Sequence, residues 1–234
     1  MELKNPIDFS RIEAVILDMD GVLVDTEPIH AESFRIFLRQ LQIDFNEEFI
    51  NDLVGYSIDH NIETINRVYL KDNPLEISAG VRQRDEIYLS MIRRRNLTTM
   101  EGVDALITLS RQRGWRLALA SSSVRDQVDS ILENLSINNT AHINYSDVFE
   151  VTVSGDEVEN KKPAPDIYER ALKSLNISAE NCFTIEDSRA GIISAKANKI
   201  TCFALQNQYL KPDQTDGADY VIRSINEVVQ ILNP

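Results

Sequence analysis

Six short apolar runs divide the chain: Ala14–Asp18 (AVILD), Arg116–Ala120 (RLALA), Phe149–Val153 (FEVTV), Cys182–Glu186 (CFTIE), Ile200–Leu205 (ITCFAL) and Asp219–Ile222 (DYVI). Near-continuous hydrophobicity over so few residues suits strands of a parallel sheet buried on both faces. Helical patterns lie between the runs. Val103, Leu106, Ile107 and Ser110 follow the i, i+3, i+4, i+7 spacing, with a polar residue at the last position. Asp166–Leu175 follows Lys162-Pro163-Ala164-Pro165, a natural helix start. Strand–helix alternation over this length predicts an α/β fold with a doubly wound, Rossmann-like parallel sheet.

One interval breaks the alternation. From about Pro28 to Asn96 the periodicity is helical throughout, with Phe34, Phe37, Leu38 and Leu41 on one apolar face and Ile58, Ile62, Ile65 and Tyr69 on another. The expected organisation is therefore a core of residues 1–27 and 98–234 with an inserted all-helical cap at 28–97. Two crossings, near Glu27-Pro28 and Leu97–Met100, would serve as its hinges.

Composition narrows the partners. Hydrophobic residues at 43% and charged residues at 26% describe a globular chain, and the net charge of −13 disfavours nucleic acid and anionic membranes. The densest basic run, Arg93-Arg94-Arg95, has no aromatic interleaving and reads as a solvated helix face. Cys182 and Cys202 sit inside apolar runs without a CxxC spacing, so a zinc knuckle or redox pair is not expected. The polar N-terminus and the lack of any stretch of about 18 apolar residues point to a cytoplasmic protein, with a monomer as the expected state.

Ligands of open α/β sheets sit beyond the carboxyl ends of the strands. Asp18-Met19-Asp20-Gly21 follows the first run and Ser121-Ser122-Ser123 the second; Lys161-Lys162 follows the third after an acidic loop, and the fourth ends in Glu186-Asp187. Separately, these are a capped turn, a helix N-cap, solvated lysines and the start of a turn. Jointly, at successive exits, they fit phosphoryl transfer. The Asp18 carboxylate can attack phosphorus, and Asp20 can protonate the leaving oxygen and then deprotonate water. Two like charges about 4 Å apart cost on the order of 4 kcal/mol at an effective dielectric near 20, so four carboxylates and a phosphate need a cation. Oxygen ligands alone point to Mg²⁺. Lys162 adds positive charge and Ser121 a hydrogen bond to the phosphoryl group.

The stretches DMDGVLVDTEPIH, ALASSS, KKPAPDIY and IEDSRAGI resemble the four motifs of the haloacid dehalogenase superfamily, in its sugar-phosphatase and β-phosphoglucomutase branch. The likeness runs over roughly residues 12–222, and the helical insertion is similar in place and size to that branch's cap. The resemblance implies Asp18 as nucleophile and metal ligand, and Asp20 as acid/base, with its backbone carbonyl on the metal. It implies Ser121 and Lys162 on the phosphoryl group, with Ser122 beside them, and Asp187 on Mg²⁺ with Glu186 bound directly or through water. Lys161 is not implied, because the family lysine directly precedes the proline. His30 reads either as a cap histidine near substrate or as a polar hinge residue. Thr26 and Glu27 match the hinge pattern and also suit helix capping.

Some positions depart from that pattern or stay outside it. Asn138–Asp147 (NNTAHINYSD) is longer and more polar than the usual connection, with His142 expected to be exposed, as is His60 on a cap helix. The implied activity is Mg²⁺-dependent hydrolysis of a small phosphorylated metabolite through an aspartyl phosphate. The alternatives are a phosphosugar mutase and a catalytically silent phosphate-binding protein. A dehalogenase leaves Asp20 without a task, and a phosphonate hydrolase would need a cap lysine, of which only Lys71 is present in Leu70–Asp72. The mutases of this branch resemble one another in an arginine after a cap Gly-x-Ser. Here Gly55-Tyr56-Ser57 is followed by Ile58, which favours hydrolysis unless a cation such as Arg67 or Lys71 turns inward.

Overall fold

The computed structural model describes residues 9–53, 56–139, 141–207, 210 and 212–232. The chain separates into two compact units, Met1–Asp25 with Asn96–Pro234, and Thr26–Arg95.

The first unit is built on six parallel strands: β1 (Ala14–Leu17), β2 (Arg116–Ala120), β3 (Val151–Val153), β4 (Cys182–Glu186), β5 (Thr201–Leu205) and β6 (Tyr220–Ile222). Their order is β3-β2-β1-β4-β5-β6, with Ala14 opposite Arg116 on one side and Cys182 on the other. The winding therefore reverses at β1, and the carboxyl end of β1 is the position where such a sheet opens a crevice. Around the sheet run α5 (Val103–Gln112), α6 (Arg125–Asn138), α7 (Tyr145–Val148), α8 (Asp166–Leu175), α9 (Arg189–Ala197) and α10 (Ile225–Leu232), numbered after the helices α1–α4 of the second unit.

Alternation along the strands sends residues to two faces. Ala14, Ile16, Ala118, Cys182 and Cys202 pack on one face with Ile167, Tyr168, Ala171 and Leu175 of α8 and Ile192 and Ala195 of α9. An aromatic row crosses the sheet as Trp115–Phe183, Phe183–Phe203 and Phe203–Tyr220, with centroids 6.1, 5.4 and 4.8 Å apart. Both cysteines are free and buried, and burial pushes the Cys182 thiol up to about 12, so both are unreactive filling. The polar position on α5 is satisfied locally: Ser110 Oγ donates to the Leu106 carbonyl at 2.8 Å.

Four strands are shorter than the apolar runs; β1 stops at Leu17, one residue before Asp18. Phe149 follows α7 and precedes the ladder; Ile200 closes the end of α9 by donating to the Ala195 carbonyl; and Asp219 joins Cys202 by one backbone bond, N to O at 3.0 Å, and one side-chain bond, its carboxylate accepting from Cys202 N at 2.8 Å. Hydrophobicity marks burial, and these residues are buried or tied down without being strand.

The second unit comprises α1 (Glu27–Gln40), α2 (Glu47–Asp52), α3 (Ile58–Tyr69) and α4 (Ile77–Arg94). Phe34, Phe37, Leu38, Ile50, Leu53, Ile62 and Ile65 form its core. Full burial of a side chain of this kind contributes about 1.5–3 kcal/mol, more than an exposed ion pair. Asn46, Ser57 and Glu76 cap the last three helices, and Arg93, Arg94 and Arg95 are exposed at the end of α4. Thr26 stands at the N-cap position of α1, yet its side chain makes no capping bond, so the capping reading does not hold there.

The polar segment 138–147 has a structural use. Asn139 Nδ2 donates to the carbonyls of Leu135, Ser136 and Ile143 at 2.8–2.9 Å, and its Oδ1 accepts from Ile143 N at 2.8 Å. The buried Tyr145 then donates its hydroxyl to Asp104 of α5. We expect Asn139→Ala to destabilise the protein by about 2 kcal/mol, because it strands the Ile143 peptide groups. Thermal unfolding should show a midpoint lower by about 4–8 °C in a chain of this size.

Candidate active site

The loop after β1 is closed by its own backbone. Gly21 N donates to Val24 O at 2.8 Å and Leu23 N to Met19 O at 2.9 Å, while Met19, Val22 and Leu23 are buried beneath. This leaves Asp18 and Asp20 at the rim. Gly21 has φ +81°, and a Cβ there would lie 1.8 Å from Asp187 Oδ2, so only glycine lets this loop approach β4. Asp18 N still donates to Ile185 O at 3.2 Å, which fixes the root of its side chain to the sheet.

The exits of β1, β2 and β4 meet at one ammonium group. Lys162 Nζ donates to Asp18 Oδ1 at 2.5 Å, to Glu186 Oε1 at 2.6 Å and to the Ala120 carbonyl at 2.8 Å, with the lysine side chain 4% exposed. Lys161, its neighbour, is exposed. Glu186 is fully buried, and a Cβ on Gly191 would lie 1.8 Å from its Oε2, so α9 begins directly against the carboxylate. Ser188 caps that helix, accepting from Gly191 N at 3.0 Å.

Asp18, Glu186 and Asp187 each present a carboxylate oxygen within 4.8 Å of the others. Burial pushes the Asp18 carboxyl up to about 8, with Glu186 and Asp20 adding to the rise against the pull of Lys162. Burial likewise holds Asp187 well above the usual carboxylate range, assisted by the charges of Asp18 and Glu186. Burial works against the charged form of Lys162, but Asp18 and Glu186 outweigh it and raise the ammonium above its ordinary range. Three crowded carboxylates with one lysine lack positive charge, and the all-oxygen donor set fits a hard divalent cation.

Asp20 does not join that cluster through its carboxylate. Its Oδ2 accepts from Ser123 Oγ at 2.9 Å and from Ser121 Oγ at 3.4 Å, with Ser121 itself buried. Residues two apart share a side of an extended chain, and it is Ser121 and Ser123 that meet Asp20. The Ser122 hydroxyl makes no hydrogen bond among the described residues; its carbonyl instead abuts Gly155, where a Cβ would lie 2.2 Å away. His30 belongs to the helical unit, where it is hydrogen-bonded to Arg84 and stacked on Tyr88 at 4.3 Å. His60 is exposed and stacks on Tyr56, and His142 is exposed.

Three contributors were given no role by the sequence reading. Ser123 was legible in principle as the second residue beyond Ser121. Asn207, two residues past β5, donates to Asp187 Oδ2 at 2.9 Å, and the exit rule applied to a fifth strand would have found it. Tyr168 donates to Glu186 Oε1 at 2.5 Å; burial and the nearby Glu186 charge hold its phenol well above its usual range, so it remains a donor. Nothing in a helical apolar position marks such a hydroxyl.

The sequence model of haloacid dehalogenase-like hydrolases matches residues 15–205. Protein CbbY of Rhodobacter capsulatus is 31% identical over 220 residues, covering 92% of this chain and 95% of the relative. A phosphorylated carbohydrates phosphatase of Thermotoga maritima is 29% identical over 187 residues, covering 80% and 81%. Among solved structures, CbbY from Rhodobacter sphaeroides in complex with xylulose-(1,5)-bisphosphate superposes with a TM-score of 0.77 at 29% identity, covering 92% of this chain and 96% of that one. The matched span begins at β1 and ends with β5, taking in Asp18, Asp20, Ser121, Lys162, Glu186 and Asp187, and this chain belongs to the haloacid dehalogenase-like hydrolase family.

Proposed function

We propose that this phosphoric monoester hydrolase acts on a small phosphorylated sugar through a covalent phosphoryl-Asp18. The observation that carries the reading is the buried Lys162 ammonium, held between Asp18 and Glu186 with Asp187 in the same carboxylate cluster. Sugar phosphates are favoured by the relatives, one named for phosphorylated carbohydrates and one with a bound pentulose bisphosphate.

In the first step an Asp18 carboxylate oxygen attacks phosphorus, and the P–O bond to the sugar breaks. Asp20, oriented by Ser121 and Ser123, gives its proton to the departing oxygen. In the second step Asp20 takes a proton from water as that water attacks phosphorus, releasing phosphate and restoring Asp18. Lys162 and the Ser121 hydroxyl bind the phosphoryl oxygens and stabilise charge in both steps. Asp18 and Asp187, with the Asp20 carbonyl and with Glu186 directly or through water, would hold Mg²⁺, whose charge offsets the carboxylates and phosphate.

Ile58 supports hydrolysis over mutation of the sugar phosphate. It packs against the apolar core of the helical unit, while Arg67 and Lys71 are exposed; Gly55 of the same stretch lies outside the described residues. A purified enzyme should therefore release phosphate in a Mg²⁺-supplemented screen of hexose and pentose phosphates that includes xylulose 1,5-bisphosphate. With β-glucose 1-phosphate and glucose 1,6-bisphosphate, a coupled glucose 6-phosphate assay should run slower than phosphate release. Faster isomerisation would install the mutase reading instead.

Asp18→Asn removes the attacking oxygen's charge and should lower turnover by more than about a thousandfold with an unchanged circular dichroism spectrum. Near-normal phosphate release from this variant would falsify the covalent route. Asp187→Ala should raise the Mg²⁺ concentration for half-maximal rate by at least about tenfold. Chelation should silence the wild type and Ca²⁺ should restore it poorly, since Ca²⁺ takes more ligands in looser geometry. Full activity after exhaustive chelation would remove the metal from the scheme.

A further inference from the structure

The scheme above makes no use of the Tyr168 hydroxyl. This side chain is fully buried among the apolar residues of α8 and the sheet, where a phenylalanine would pack equally well. Its oxygen nonetheless lies 2.5 Å from Glu186 Oε1 and 2.9 Å from Thr184 Oγ1, and its ring centroid is 5.1 Å from Lys162 Nζ.

Counting protons fixes the direction of each bond. Lys162 has three N–H donors and three acceptors: Asp18 Oδ1, Glu186 Oε1 and the Ala120 carbonyl. Its capacity is full, so it can hold a phosphoryl oxygen only by loosening one of these bonds. Glu186 Oε1 accepts from Lys162 and from Tyr168 together. Tyr168 gives its one proton to Glu186, and so must itself accept from Thr184. A carboxylate oxygen shared between two donors binds each less strongly than it would bind one alone.

We propose that Tyr168 is a positioning residue: by occupying Glu186 Oε1, its hydroxyl weakens that carboxylate's hold on Lys162 and leaves the ammonium free to turn toward Asp18 and the phosphoryl group. The inference rests on the phosphatase reading of the site. Without the hydroxyl, Glu186 keeps Lys162 to itself and the phosphoryl oxygens lose a partner.

The test is Tyr168→Phe in the full-length chain, assayed with the best substrate of the screen and with inorganic phosphate as a competitive inhibitor. The turnover number should fall about tenfold and the phosphate inhibition constant should rise about tenfold, in the range usual for the loss of a supporting hydrogen bond at such a site. An inhibition constant does not depend on how much of the protein is folded, so a merely structural role for Tyr168 would leave it unmoved. Thr184→Val, at a hydroxyl that hydrogen-bonds Tyr168 and, among the described residues, neither Lys162 nor Asp18, should shift both quantities in the same direction by less. Combined with Tyr168→Phe it should add nothing, because both act through one hydroxyl.

Turnover and inhibition within about twofold of wild type in Tyr168→Phe would overturn the inference while leaving the phosphatase reading intact. If that variant fails to fold, Thr184→Val decides alone, and an unchanged inhibition constant overturns the inference. A wild type that hydrolyses no sugar phosphate overturns the phosphatase reading and this inference with it.

Discussion

One buried ammonium organises the rim of the sheet. Lys162 joins Asp18 after β1, Glu186 at the end of β4 and the carbonyl that ends β2, three exits adjacent at the place where the winding reverses. Charges taken out of water are tolerated only with partners and saturated hydrogen bonds, and removing one member of a buried pair generally costs about 3–5 kcal/mol. The lysine therefore holds the three strand exits together. The same burial that makes it expensive raises Asp18 and Asp187, the mark of a carboxylate cluster short of positive charge, which a divalent cation could supply.

Around that ammonium, close approach is achieved by leaving atoms out. Gly21 admits the Asp187 carboxylate and Gly191 admits that of Glu186, each where a methyl group would overlap an oxygen. Asn207 and Tyr168 then anchor the two carboxylates from outside. The acidic residues are thus boxed by backbone on one side and by a neutral donor on the other, a preorganisation suited to stabilising charge that develops during transfer.

The helical unit contains its own buried cation. Arg84 of α4 is fully buried, pairs with Asp85 and His30, and lies 4.8 Å from the ring centroids of both Phe34 and Tyr88. Burial lowers its affinity for the proton and Asp85 opposes that. Guanidinium is weakly hydrated and stacks on aromatic faces, which makes arginine the cation a small apolar core can accept. It follows that His30 is first of all part of this packed polar cluster.

The sequence by itself determined the parallel α/β sheet, the helical stretch inserted after its first strand and the residue types at the carboxyl ends of its strands. Strand burial leaves a run of apolar residues, a parallel sheet aligns its carboxyl ends, and Asp18, Ser121, Lys162 and Glu186-Asp187 all stand at such ends. What tertiary structure alone decided is which atoms meet. The Asp20 carboxylate turns to Ser123, Ser122 offers only its carbonyl to Gly155, and Tyr168 and Asn207 reach the cluster from a helix turn and a fifth strand exit. Likewise, the polar 138–147 segment carried no pattern, because Asn139 and Tyr145 act through single directional bonds to distant backbone and to Asp104. Periodicity reports how a residue divides between water and the interior. A hydrogen bond depends on distance and angle between groups far apart in the chain, and only the folded packing sets those.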